Sequence, residues 1–105
     1  MSYTATAKAK RLRGAILELL RTNHDGQQTR FDSTSLWSAL VRGLGFDAGR
    51  NEVKTTLQDL CGRSYVTYKE KKDKDTNEVS IWQIELTPRG RDLLEETIVD
   101  AAVEL

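Results

Sequence analysis

The stretch Asn51–Val66, NEVKTTLQDLCGRSYV, changes period part-way through, and that change decides the fold. Val53, Leu57, Leu60 and Cys61 recur at helical spacing and form one apolar face, which Gly62 brings to an end. Tyr65, Val66, Thr67 and Tyr68 then follow as β-favouring residues. The stretch predicts a helix over 48–62, starting near Asp47 or Gly49, that passes almost directly into a strand.

Upstream, Leu36, Trp37, Leu40 and Val41 predict a helix over 34–43, capped by Ser33 or Thr34 and stopped by Gly43 and Gly45, with Phe31 in a short extended piece before it. Two short helices joined by a Gly-containing turn are the helix-turn-helix pattern. Further upstream, Leu12, Ile16, Leu19 and Leu20 form the stripe of a helix over 4–22. Gly14 interrupts that helix, either to admit a close helix crossing or as a tolerated surface glycine. Asn23 to Thr29 reads as a loop holding His24, which has no metal-ligand partner at a suitable spacing and reads as a surface residue.

Downstream, VSIWQIEL (Val79–Leu86) alternates and predicts Trp82, Ile84 and Leu86 on one side. With KEKKDKDTNE between the two β-favouring runs, residues 65–86 read as a long hairpin with a mobile tip. Thr87 and Pro88 restart a helix, and Leu94, Ile98, Ala101, Ala102 and Leu105 extend it over 88–104. One domain over 1–105 accounts for every element.

The chain has zero formal net charge, which counts against a strongly basic nucleic-acid binder. The zero conceals an asymmetry: residues 1–63 carry ten Lys or Arg against six Asp or Glu, and residues 64–105 carry six against ten. Cys61 is the only cysteine, so neither an intrachain disulfide nor a thiolate cluster can form within the chain, as suits a reducing compartment. No apolar run approaches a membrane span, and the expected location is cytoplasmic. One His, no nucleophile motif and no phosphate-binding Gly loop leave catalysis without a basis, and no cofactor or metal is expected.

The segments EVKTTLQDLCGRSYVTY and LTPRGRDLLE resemble, respectively, the recognition helix with first wing strand and the second wing strand with C-terminal helix of the winged helix-turn-helix superfamily. The resemblance covers roughly residues 10–98. It implies an α+β fold with a three-helix core, a two-stranded β-hairpin wing and a C-terminal helix, and a role in DNA binding and transcription regulation. Arg63 and Ser64 make the join between helix and wing a residue or two longer than that pattern has.

Projected at about 100° per residue, Asn51, Lys54, Thr55 and Gln58 share the outer surface of the third helix. Asn and Gln pair with adenine, Thr meets a thymine methyl or a phosphate, and Lys reaches guanine or backbone; Arg50 at the helix start suits phosphate. Glu52 and Asp59 on the flank would repel it. Lys69, Lys71, Lys72 and Lys74 stand where a wing would meet DNA, with Glu70, Asp73, Asp75 and Glu78 offsetting them, so phosphate contact and a solvated loop both remain open. Lys8, Lys10, Arg11 and Arg13 read as a solvated helix face first and a phosphate contact second.

The stripe Leu94, Ile98, Ala101, Ala102 and Leu105 exceeds what one small core needs and suggests a homodimer; the alternative is a monomer whose last helix folds back on the first. In a dimer, the resemblance implies an inverted-repeat site. Two functions are therefore expected of the sequence: a dimeric reader of double-stranded DNA, or a winged-helix module that binds a protein partner, through residues such as Trp37, Tyr68 or Ile98.

Overall fold

The computed structural model describes residues 3–25 and 31–105. In chain order the elements are α1 (Tyr3–Asp25), α2 (Ser33–Ser38) continuing into a π-helical turn (Ala39–Gly43), α3 (Arg50–Gly62), β1 (Val66–Lys72), β2 (Val79–Leu86) and α4 (Pro88–Leu94). The architecture is α+β, with the helices gathered on one core beside an antiparallel hairpin. Leu12, Ile16, Leu17 and Leu20 of α1 meet Leu36, Leu40, Val53, Leu57, Leu60, Ile81, Ile84 and Leu93 there. Each such side chain contributes roughly 1.5–3 kcal/mol relative to exposure. Leu17 joins this face where Leu19, only partly buried, was expected.

The helix starts follow local hydrogen bonding. Asp32, rather than Ser33 or Thr34, caps α2, its carboxylate accepting from the Ser35 N–H at 2.7 Å. Thr87 caps α4 through the Gly90 N–H at 3.0 Å, with Pro88 in the first turn as expected. The helix α1 runs past Thr22 to Asp25; the side chain of His24 and residues 26–30 of the expected loop lie outside the described residues. The third helix begins at Arg50, after an extended Gly49.

Two helices close by the same device, the first where it was expected to end and the second well before. At the end of α3, Ser64 takes a left-handed conformation (φ 68°), its N–H bonding Cys61 O while Tyr65 N–H reaches back to Leu60 O. The additional residues Arg63 and Ser64 are thus spent on a Schellman closure. The end of α4 repeats the device: Glu96 is left-handed (φ 61°), its N–H bonds Leu93 O and Thr97 N–H bonds Asp92 O.

The expected helix over 88–104 therefore stops at Leu94. The remaining residues form an irregular strap along α1. Glu104 N–H donates to Lys10 O at 3.1 Å, and Arg13 Nη1 donates to Ala102 O at 2.9 Å. A β-carbon at Gly14 would lie 1.9 Å from Glu104 O, so Gly14 admits a close approach, by the strap and not by a helix. Gly90 is constrained likewise, since its β-carbon would meet Tyr65 O at 2.4 Å.

The hairpin pairs Val66 with Leu86 and Thr67 with Glu85, then resumes at Lys69 with Trp82. Gln83, at φ 50°, is the surplus residue of a β-bulge in β2. The bulge corrects the expected alternation: Ile81 and Ile84 are buried, Leu86 is half-buried, and Trp82 faces outward. Phe31 forms a single bridge to Ile84, placing the short extended piece beside β2. The hairpin tip is a hydrogen-bonded turn in which the Asp73 carboxylate accepts from Asp75 N–H at 2.8 Å and Asn77 is left-handed.

Candidate nucleic-acid interface

The α3 residues singled out from the sequence lie on its outer surface: Arg50, Asn51, Thr55 and Gln58 are exposed and Lys54 is half-buried. Burial of Val53, Leu57 and Leu60 on the opposite side fixes that orientation. Cys61, expected on the buried face, is packed against the core but half-exposed and free.

Arg50 is held at the start of the helix, its guanidinium 4.9 Å from the centroid of the Trp37 ring. Trp37 is half-buried and donates its indole N–H to Ala48 O at 2.8 Å, so it ties α2 to the segment entering α3. Tyr68 and Ile98, the other residues named for a protein partner, are half-buried too.

Across from the start of α3 stands the hairpin. Lys69, Lys71, Lys72 and Lys74 are all exposed, and Lys69 Nζ lies 5.4 Å from the Trp82 ring centroid. A cleft of about 310 Å³ is shared by the two elements, with Arg50, Asn51 and Lys54 on the helix side and Ser80 and Trp82 on the strand side. Asp32 and Glu78 also line it. A second depression, lined by Lys71, Lys72, Asp73, Lys74 and Ser80, continues from it along the hairpin through Ser80. The helix cations and hairpin cations thus border one continuous surface.

The acids expected to repel phosphate are engaged elsewhere. Glu52 pairs with Lys8 at 3.3 Å, and Lys8 also donates to Asp47 O. Asp59 receives Arg13 and Arg63, both at 2.9 Å. Two members of the basic N-terminal set, Lys8 and Arg13, are therefore committed to α3 and the strap, while Arg11 is exposed and Lys10 half-buried. In the hairpin, the Asp73 carboxylate closes the turn.

On the far side of α3 sits a network that the sequence reading missed. The Tyr65 hydroxyl donates to Asp100 Oδ2 at 2.6 Å, Arg63 Nη1 approaches the same oxygen at 3.4 Å, and Ala102 N–H donates to Asp100 Oδ1 at 2.9 Å. The Tyr65 hydrogen bond, then the Ala102 N–H, hold the Asp100 carboxyl below its ordinary range against the opposing effect of burial. Burial first, then Asp100, raises the Tyr65 phenol. No local pattern could have disclosed these partners, because Asp100 was expected on the polar side of a helix.

The dimer residues divide. Leu94 lies in the core, Ile98 and Ala102 are half-buried, and Ala101 and Leu105 are exposed. Among the described residues, no helix is long and apolar enough to cross a membrane. No family model matches the chain, and no curated protein matches it.

Proposed function

We propose that this chain is a cytoplasmic winged helix-turn-helix protein that binds double-stranded DNA, with α3 in the major groove and the β1–β2 hairpin as the wing on the flanking backbone. The observation that carries this reading is the shared surface on which Arg50 and Lys54 of α3 meet the lysine-bearing hairpin, while Glu52 and Asp59 are paired away from it. The role is recognition without catalysis: Gln58, Thr55 and Asn51 address base edges, and the Lys residues address phosphate.

In the regulator form of the proposal the protein is a homodimer, joined across the irregular strap instead of a long helix. Val99 is 90% exposed, and Ala101 and Leu105 are exposed on the same segment, which leaves apolar surface for a second copy. Sedimentation checks this: a dimer that dissociates on Val99→Asp supports the contact, and a monomer at all concentrations removes it.

The DNA reading is tested by anisotropy with random and selected duplexes. Lys54→Ala should weaken binding to every sequence, and Gln58→Ala should relax preference at one position while leaving the salt dependence intact. Identical behaviour of both variants and the parent protein would overturn the assignment of α3 as the reading helix.

A further inference from the structure

Two indoles flank the start of α3, and they are used differently. Trp37 is half-buried, with its N–H satisfied by Ala48 O and Arg50 over its ring. Trp82 is 41% exposed. Simple alternation along β2 would turn Trp82 inward with Ile84; instead Gln83 adopts a left-handed backbone that few non-glycine residues take, and the resulting bulge leaves both isoleucines in the core and the indole outside. A bulge that re-aims one large aromatic ring into a cleft facing Arg50, Asn51 and Lys54 points to a ligand for that ring.

The surroundings define the ligand. Trp82 pairs across the strands with Lys69, and Ser80, on the same side of the hairpin, pairs with Lys71. Arg50, Asn51 and Lys54 border the cleft opposite. At about 310 Å³ the cleft is at the lower end of small-ligand sites, with room for one residue of a strand and not for a duplex. Its charge is mixed, since Asp32 and Glu78 line it beside the cations. A neutral base suits that interior, and the connecting phosphates suit the Arg50, Lys54 and Lys69 rim. Within a duplex, both faces of a base are covered by its neighbours, so an indole stacks on a base that is unpaired.

We infer that Trp82 is a stacking platform for one unpaired base, and that the preferred ligand of this face is duplex DNA carrying a single-stranded tail. This rests on the DNA-binding reading and narrows its substrate class. Asn51 and Ser80 are placed to hydrogen-bond the edge of the stacked base, and Lys69 reinforces the indole face by its cation–π contact.

The test compares affinities for a blunt duplex, the same duplex with a short single-stranded tail, and the tail strand alone. The tailed duplex should bind about tenfold more tightly than the blunt one, that advantage should vanish in Trp82→Ala, and Trp82→Phe should retain part of it. Thermal melting of both variants establishes that they fold, as expected for an outward-facing side chain. Equal affinity for blunt and tailed duplexes, with Trp82→Ala unchanged, would overturn the stacking role while leaving duplex binding standing. Binding of the tail alone as tightly as the tailed duplex would overturn the junction preference. Failure to bind the blunt and tailed duplexes alike would remove the parent reading and this one together.

Discussion

The two sides of α3 handle charge in opposite ways. On the side facing α1 and the C-terminal strap, three acids have cationic or hydrogen-bonding partners: Glu52 with Lys8, Asp59 with Arg13 and Arg63, and Asp100 with Tyr65 and Arg63. On the side facing the hairpin, Arg50 and Lys54 line a cleft together with Asp32 and Glu78, and Lys71, Lys72 and Lys74 line an adjoining depression that shares Ser80 with it. A net charge of zero thus leaves cations free on one side of α3, because Glu52 and Asp59, the acids on its own flank, are paired with Lys8, Arg13 and Arg63. Overall charge describes solubility and long-range steering better than it describes a site.

The sharpest way to break the contrast is to attack the structural side. Gly14→Ala should destabilise the fold by about 1–3 kcal/mol, since its methyl cannot coexist with the Glu104 carbonyl unless the strap moves. Denaturant unfolding measures the loss, and an unchanged midpoint would mean that the strap is not docked on α1. Asp100→Asn should cost about 1–2 kcal/mol by weakening charge-assisted bonds to Tyr65 and Arg63.

The pH dependence of that variant carries a sign. Because the folded Asp100 carboxyl lies below its ordinary value of 3.8, its contribution is complete above that value and is lost as pH falls through the lower, folded one. Acid unfolding should therefore be steeper in the parent protein than in Asp100→Asn. A parallel pair of acid-unfolding curves would remove Asp100 from the account.

The outer side should respond in recognition and not in stability. Gln58→Ala should cost about 1 kcal/mol or more of discrimination at one base pair, with unfolding altered by less than about 0.5 kcal/mol. The smallest effect should come from Glu96→Gly, which relieves a left-handed non-glycine residue at the end of α4 and should stabilise by about 0.5–1 kcal/mol in thermal melting. A loss of stability there would show that the Glu96 side chain does something beyond closing the helix.

Much of this arrangement was legible in the chain. The spacing of Val53, Leu57 and Leu60 fixed which side of α3 turns outward, and Thr87 with Pro88 announced the start of α4. The two elements that departed from the expected pattern share one cause: a non-glycine residue with positive φ. Gln83 reverses the parity of β2 and exposes Trp82, and Glu96 ends α4 in the middle of an unbroken apolar periodicity. Neither residue type signals a left-handed turn, so a pattern that assumes continuous geometry carries straight through both. The pairing of Glu52 with Lys8 and of Asp59 with Arg13 was hidden for a different reason, as these partners meet only after α1 packs on α3.

The measurement that bears most directly on the segregated-charge account is the salt dependence of binding to a random duplex for three proteins: the parent, Lys71→Ala with Lys72→Ala, and Lys8→Ala. The account predicts steeply salt-sensitive binding, a slope reduced by about one to two in the hairpin variant, and an unchanged slope in Lys8→Ala, whose cation is occupied by Glu52. Salt-insensitive binding, or a slope lost with Lys8 and kept without the hairpin lysines, would contradict it.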